Sequence, residues 1–450
     1  MIGIGGAGMS GIARLLLARG IEVSGSDLKG STGLEDLGNL GAEVAVGHRA
    51  DQVAADGMPD AVVVSTAIPE RNPELEEARR LGLPVLARAQ VLAALMSGAR
   101  GIAVAGTHGK TTTTSMTSTI LERAGLDPTF VIGGDLNESG SNARHGRGGW
   151  FVAEADESDG SFLLLSPEVA VITNVEQDHV DFYRSREETL AAFAQFVRSA
   201  RVVVACADDE GVREVLRRSG RDEMIHTYGM GPGAHVRVAP GVASGRSAAG
   251  TIHVDGRAVP VSLRVPGVHN LLNAAAALLA AREAGVDVAT AAEALESFGG
   301  VRRRFEFRGM GRGAEFFDDY AHHPTEIRAT LAAVPPEYRR VVAVFQPHRY
   351  TRTEAMWCEL GEALEVADVV VLTDVYGAGE TPIPGVTGKL LVDSLTEAAP
   401  GKRVVYLPKR ADVAPFLSAE VRPGDLVLTL GAGDITMVPD EALERILEDA

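Results

Sequence analysis

The sequence predicts an α/β protein built as three consecutive α/β domains, and three observations carry that reading. Short apolar strand-like runs alternate with helix-like segments along most of the chain, the pattern of βαβ units and parallel sheets. A glycine-rich turn, "GIGGAG" at residues 3–8, opens the first such run. The alternation breaks once, between about 226 and 266, where "HVRVAP" and "TIHVDGRAVPVSLRVPG" repeat at period two around an Asp-Gly turn and predict hairpins. The predicted division is residues 1–97 as a Rossmann-like domain, 98–299 as a P-loop-type central domain with the β-hairpin insertion, and 300–450 as a second Rossmann-like domain. A length of 450 residues agrees with this, at roughly 150 residues per domain.

In the first block "IEVSGSD", "AVVVSTAI" and "LPVLA" read as strands. Gly3, Gly5 and Gly8 satisfy G-x-G-x-x-G, with Gly6 and Ala7 between them, and Asp27 closes the next strand, about 20 residues on as in the dinucleotide fingerprint. By itself this pattern serves NAD, another nucleotide diphosphate, or a plain tight turn. Only Met1 and Ile2 precede Gly3, so a truncated first strand and a weakened first sheet are expected.

The second block opens with "GIAVAG" (101–106), a buried strand, and continues into "TTTTSMTSTILERAG", a helix. The loop between them departs from G-x-x-x-x-G-K-[ST], because Val104 stands where the first glycine would be. Its placement still suits a phosphate. The amides of Gly106, Thr107, His108, Gly109, Lys110 and Thr111 point out of a helix N-terminus, with Thr112 following. Lys110 would bridge terminal phosphates, and the Thr111 hydroxyl suits Mg2+. A solvated turn with a surface lysine is the competing reading. It is weakened by composition: of 43 basic residues only Lys29, Lys110, Lys389, Lys402 and Lys409 are lysines.

"AEADESDGSF" and "TNVEQDHVDFY" each follow an apolar run, which puts Glu154, Asp156 and His179 on the ligand side of a parallel sheet. Carboxylates there suit Mg2+, although Asp156, Ser158 and Asp159 taken singly serve equally well as helix caps. Asn270 and Asn273 share one helix face and could contact a base or ribose, or be an N-cap and a satisfied amide. In the third block, "RRRFE" gathers Arg302, Arg303 and Arg304 at a domain junction, as a solvated face or as a hinge arginine reaching phosphates. "DDYAHHPTE" carries adjacent His322 and His323, which point apart and argue against zinc. Arg349 and Arg352 of "QPHRYTRT" could clamp a small carboxylate.

The bulk properties narrow the field. A net charge of −18 argues against a nucleic-acid surface. The two cysteines, Cys206 and Cys358, lack metal-ligand spacing and fit a reducing compartment. No apolar run approaches the roughly 20 residues of a membrane span, so a cytoplasmic protein without membrane or nucleic-acid partners is expected; the oligomeric state is not readable.

Taken together and in order, "GIGGAGMSGIA", "GTHGKTTTT", "EADESDGSF", "TNVEQDHVD", "HNLLNA", "RRRFE" and "DDYAHHPTEI" resemble the Mur ligases over the whole chain. The resemblance implies the shorter G-T-x-G-K-T phosphate loop. It also implies an ATP-dependent amide-forming ligase whose N-terminal domain holds a UDP sugar, whose centre binds ATP and Mg2+, two ions in all, and whose C-terminal domain brings in an amino acid. The wording of the acidic motifs fits the alanine-adding branch, with UDP-N-acetylmuramate and L-alanine as substrates in peptidoglycan precursor synthesis. In residue terms, Gly3, Gly5, Gly6, Ala7, Gly8, Asp27 and Ser65 would hold the UDP sugar. Lys110, His179 and Arg304 would be catalytic, and Thr111, Glu154 and His179 would serve the metals. Asn270, Asn273, Arg304 and Asp319 would join the phosphate loop around ATP, and Tyr320, His322, Arg349 and Arg352 would line the alanine pocket. Several sister ligases place a carbamylated lysine beside the second metal; no lysine lies between Lys110 and Lys389 here, which fits the alanine branch. Three other readings compete: a tripeptide-adding recycling ligase of the same family, an NAD-dependent oxidoreductase resting on "GIGGAG" alone, and a nucleotide-switch regulator without ligase activity.

Overall fold

The computed structural model describes residues 1–55, 57–137, 141–178, 182–241 and 245–448. The chain divides into two compact units: Met1–Ala239 with Thr251–Val261 and Leu272–Phe298, and Pro240–Gly250 with Ser262–Leu271 and Gly299–Ala450.

The first unit begins with four short strands, β1 (Ser24–Asp27), β2 (Glu43–Val46), β3 (Val62–Val64) and β4 (Val85–Ala87). β1 pairs in parallel with β2, and β3 with β4. Ile2 joins the two pairs through parallel bridges to Ser26 and Val64. Its amide donates to Val63 O at 2.9 Å, and the Gly3 amide donates to Ser26 O at 2.8 Å. The expected first strand is thus reduced to one bridging residue, and β1-β2 and β3-β4 stand as two separate pairs on either side of it. Ile2 and Ile4 are 1% and 0% exposed, and two buried isoleucines fill the place that a longer strand would take.

Ten strands follow in one sheet: β5 (Arg100–Ala105), β6 (Thr129–Val131), β7 (Ala143–Arg144), β8 (Trp150–Glu154), β9 (Val169–Ile172), β10 (Val202–Cys206), β11 (Ile225–Gly229), β12 (Val236–Pro240), β13 (Ala248–Val254) and β14 (Arg257–Leu263), in the order β14-β13-β12-β11-β10-β9-β5-β8-β6-β7. β8, β9 and β10 are apolar and buried almost without a break, as parallel strands covered on both faces must be. The predicted hairpin turns on Asp255 and Gly256, both at positive φ, as a two-residue primed turn requires. Register brings Val104 opposite Glu154 and Ala105 opposite Ile172, so the loops after β5, β8 and β9 leave the sheet at one carboxyl edge. Met9, Ile12 and Leu15 of helix Ala7–Ala18 share a buried cluster with Ala103, Phe151 and Phe162.

The second unit has a six-stranded sheet of β15 (Glu306–Gly311), β16 (Ala314–Asp319), β17 (Arg340–Phe345), β18 (Val369–Leu372), β19 (Arg403–Tyr406) and β20 (Asp425–Leu430), in the order β15-β16-β20-β17-β18-β19. β15 is an antiparallel edge and the other pairings are parallel. Apolar clusters around Phe317, Phe345 and Leu428, and around Phe316, Val344 and Val427, form its core. Asp319, Leu430 and Phe345 end side by side, where the strand order reverses and open α/β sheets bind ligands. Among the described residues no helix is long and apolar enough to cross a membrane.

Candidate active site

β5 delivers the chain into the loop 106–109, and helix Lys110–Arg123 carries it away. Gly106 sits at φ +139°, and a Cβ there would stand 2.0 Å from Thr173 Oγ1; only glycine fits. The segment after β9 grips this loop. The Thr107 amide donates to Asn174 O at 3.1 Å, the His108 amide to Asn174 Oδ1 at 2.8 Å, and Asn174 Nδ2 to His108 O at 3.0 Å. Fewer amides are therefore open to an anion than the run from Gly106 to Thr111 expected from sequence, since Thr107 and His108 already donate within the protein. The first-turn amides of the helix from Lys110 onward have no partner in helix geometry and point along the positive end of its dipole. Thr111 and Thr112 are buried in that turn. Asn273 Oδ1 lies 2.8 Å from where a side chain at Gly109 would begin, so this amide is packed against the loop.

Lys110 Nζ donates to Gly106 O at 2.6 Å and Thr107 O at 3.1 Å, and meets Glu157 Oε2 at 2.9 Å. Glu154, at the end of β8, accepts the Gly133 amide at 2.9 Å. Asp156 accepts the Ser158 amide at 3.1 Å and pairs with Arg88 at 2.9 Å. The charges around Lys110 do not balance. Burial works against its ammonium, but the carboxylates of Glu157, Asp156 and Glu154 outweigh it and hold its pKa above the ordinary value. Burial, with Asp156 nearby, pushes Glu157 up to about 7 against the pull of Lys110. Asp156 would also be raised by burial, yet Lys110 and Arg88 hold it at about 2. Three carboxylates, Glu154, Asp156 and Glu157, thus face the two cations Lys110 and Arg88, and an excess of carboxylate is the donor set a divalent metal takes. The Thr111 hydroxyl and Glu154 fit that need. His179, the other metal ligand and catalytic residue expected from sequence, lies outside the described residues.

The first glycine loop is shaped by Asp27, whose Oδ2 accepts the Gly5 amide at 2.9 Å. Gly6 caps helix Ala7–Ala18, and Gly3, by its φ of +75°, turns the chain from the bridge at Ile2 into the loop. A Cβ on Gly8 would stand 2.2 Å from Arg88 Nη1, so the Arg88 guanidinium rests on this loop while bonding Asp156. Asn142 Nδ2 ties the same helix to the larger sheet, donating to Ala7 O at 2.6 Å and Ser10 Oγ at 3.0 Å. Ser65 leaves β3 in a turn closed by the Ile68 amide at 3.1 Å. Arg88, Asn142, Asn174 and Glu157 were not singled out from the sequence. Each has a partner far along the chain, and spacing carries no signal for that.

In the second unit, Arg304, Asp319, Tyr320, His322, Arg349 and Arg352 all leave the carboxyl edge of β16 and β17 or its adjoining junction. Asp319 accepts the amides of Phe305 at 2.7 Å and Ala321 at 2.8 Å, and burial pushes its carboxyl up to about 6 against the pull of Arg304. The guanidinium of Arg304 lies 5.1 Å over the Tyr320 ring. The rings of Tyr320, His322, His348 and Tyr376 follow one another at 5.3, 5.7 and 5.8 Å. Arg352, 7% exposed, approaches His348 Nδ1 at 3.4 Å. His323 has a structural task instead, capping helix Pro324–Ala332 through the Thr325 amide. Asn270, on helix Val268–Glu283, donates to Pro266 O at 2.6 Å.

Three family models match the chain in order: the Mur ligase family catalytic domain over residues 1–100, the Mur ligase middle domain over 104–281, and the Mur ligase glutamate ligase domain over 303–433. Among curated proteins, the UDP-N-acetylmuramate–L-alanine ligase of Saccharopolyspora erythraea is 50% identical, the match covering 99% of this chain and 92% of that protein. The enzyme of the same name from Pelotomaculum thermopropionicum is 49% identical over 100% and 97%. The crystal structure of the UDP-N-acetylmuramate-alanine ligase of Thermotoga maritima matches with TM-score 0.85 at 31% identity, covering 100% of this chain and 99% of that one. A murein peptide ligase of Psychrobacter arcticus matches with TM-score 0.72 at 26% identity, over 99% and 98%.

Proposed function

The chain belongs to the Mur ligase family, and from that premise we infer how its residues serve the reaction of the alanine-adding branch. It is an ATP-dependent ligase that joins L-alanine to the lactyl carboxylate of UDP-N-acetylmuramate, the branch named by its half-identical relatives. ADP and phosphate are the other products, and the work belongs to peptidoglycan precursor synthesis in the cytoplasm. The tripeptide-adding alternative is less well supported: its structural relative stands at TM-score 0.72 against 0.85 for the alanine enzyme. An oxidoreductase would leave the Lys110 loop and the carboxylates around it without a task, and a simple nucleotide switch would leave the first glycine loop without one.

A carboxylate is a poor acyl donor, so it must be activated. A lactyl carboxylate oxygen attacks the γ-phosphorus of ATP, the bond to the bridging oxygen breaks, and ADP leaves an acyl phosphate. The alanine amine then attacks the acyl carbon, loses a proton, and inorganic phosphate departs. Lys110 and the first-turn amides from Lys110 to Thr112 would gather the charge of the transferring phosphoryl group. Thr111, Glu154 and His179 would hold Mg2+, which when bound screens the phosphate charge and orients it for in-line attack. Gly106, Thr107, His108 and Gly109 shape the loop beneath the phosphates. Asn270, Asn273, Arg304 and Asp319 would surround the rest of ATP, with Arg304 reaching its phosphates. Gly3, Gly5, Gly6, Ala7, Gly8, Asp27 and Ser65 would cradle the UDP sugar, the pyrophosphate lying at the start of helix Ala7–Ala18. Tyr320, His322, Arg349 and Arg352 would receive alanine.

The observation that carries this reading is the single lysine, its side chain 16% exposed, set among Glu154, Asp156 and Glu157 at the mouth of the phosphate loop. The test follows the oxygen. UDP-N-acetylmuramate labelled with 18O in the lactyl carboxylate should pass one labelled oxygen to inorganic phosphate per turnover. Unlabelled phosphate would exclude the acyl-phosphate route.

A further inference from the structure

Arg349 has φ +69° and ψ 138°, a backbone region that residues bearing a Cβ seldom occupy. Holding such a conformation costs of order 1–3 kcal/mol and persists only where the surroundings fix it. Among the described residues eight non-glycine residues have positive φ, and Arg303, Phe305, Arg349 and Ala378 belong to the loops at the carboxyl edge of the second sheet or its junction. The strain is concentrated beside the site.

What fixes Arg349 is a separate segment, Tyr376 to Glu380. The Arg349 amide donates to Tyr376 O at 2.8 Å, and the Tyr376 amide donates to Pro347 O at 2.8 Å, an isolated parallel bridge in which the rings of His348 and Tyr376 stack 12° from parallel. On the other side of Arg349, Glu380 accepts from the Thr351 amide at 3.1 Å and from Thr351 Oγ1 at 2.7 Å. Helix Tyr350–Ala363 starts immediately after the strained residue, its first turn closed by the Thr353 amide on Arg349 O at 3.1 Å. The clamp thus holds the residue before Arg349 and the second residue after it, leaving its backbone one conformation.

We propose that Tyr376 and Glu380 are positioning residues that set the guanidinium groups of Arg349 and Arg352 for the carboxylate of the incoming amino acid, themselves touching no substrate. The proposal rests on the alanine-pocket reading of Arg349 and Arg352. Recognition of a carboxylate by planar guanidinium forks is directional, and small misplacements near a reacting centre are felt strongly. If Glu380 were only a helix cap, its loss would lower stability and leave amino-acid affinity alone.

The test measures separate KM values for L-alanine, ATP and UDP-N-acetylmuramate, with melting temperatures, for the full chain and for E380A, E380Q, T351V, Y376A and Y376F. E380A and Y376A should raise the KM for L-alanine about tenfold or more, with the other two KM values within about twofold. E380Q and Y376F, which keep an acceptor and a stacking ring, should recover most of the loss. T351V, which retains the amide donor, should fall between and remains informative should E380A fail to fold. A lowered melting temperature with an unchanged alanine KM in E380A and Y376A would overturn the proposal. R349A separates the two layers: a raised alanine KM there without one in E380A removes the clamp alone, whereas no change in R349A removes the pocket reading and the clamp with it.

Discussion

The Arg88 guanidinium bonds the Asp156 carboxylate at 2.9 Å while its other nitrogen lies 2.2 Å from the Cβ position of Gly8. One side chain thereby links the glycine loop at the start of the chain to the acidic loop beside Lys110. The absence of a side chain at Gly8 leaves the flat guanidinium room to lie there while it bonds Asp156.

Arg88→Ala should raise the KM for UDP-N-acetylmuramate and the KM for ATP together, as steady-state kinetics would read, and Arg88→Lys should recover little of either. The pair is also a source of acid sensitivity. Asp156 is held at about 2 against an ordinary value of 3.8, so its contribution to stability is complete above pH 4 and is lost as pH falls toward 2. The Arg88→Ala protein should show a smaller loss of stability across that window.

Glu157 behaves in the opposite sense. Its folded pKa of about 7 exceeds the ordinary 4.5, so the folded chain keeps a proton that the unfolded chain releases, and stability falls as pH rises between those values. Glu157→Gln should flatten that fall between pH 5 and pH 8, measured by denaturant unfolding, while lowering stability overall because Lys110 loses the carboxylate it pairs with. Activity should fall in the same variant because Lys110 loses its carboxylate anchor.

His269 is held neutral by burial and by the charge of Arg304, its pKa lowered to about 4. The unfolded chain binds a proton near 6.5 that the folded chain refuses, so stability declines as pH drops from 6.5 to 4. His269→Phe, which keeps the ring and removes the titration, should be less destabilised than wild type over that interval by up to about 3 kcal/mol. Asp319, raised to about 6, acts in the other direction in both proteins and cancels from the difference.

Asp319→Ala would leave the amides of Phe305 and Ala321 without their acceptor, a loss of about 1–3 kcal/mol for each buried donor. Asp319→Asn keeps one oxygen and should lose roughly half as much. Equal unfolding free energies for the two variants would show that the turn at Arg303–Phe305 does not depend on this carboxylate.

What could be read from sequence was what local chemistry dictates. The strand-loop-helix around Lys110 and the hairpin at Asp255-Gly256 both follow from short-range pattern. The sequence offers Arg349 and Arg352 as candidates for a carboxylate clamp, but the strain at Arg349 and the segment holding it are not legible there, since Tyr376 and Glu380 are close to it only in the fold. Asn142 reaches Ala7 across 135 positions, and no spacing rule anticipates such a bond.

The central claim is tested most directly by phosphate release from ATP with UDP-N-acetylmuramate and, in turn, L-alanine, glycine, L-serine and the tripeptide, beside a Lys110→Ala control. The account predicts release that needs both the sugar nucleotide and L-alanine, and that falls by about a hundredfold or more in the control. Turnover supported by the tripeptide and not by L-alanine, or undiminished in Lys110→Ala, would contradict it.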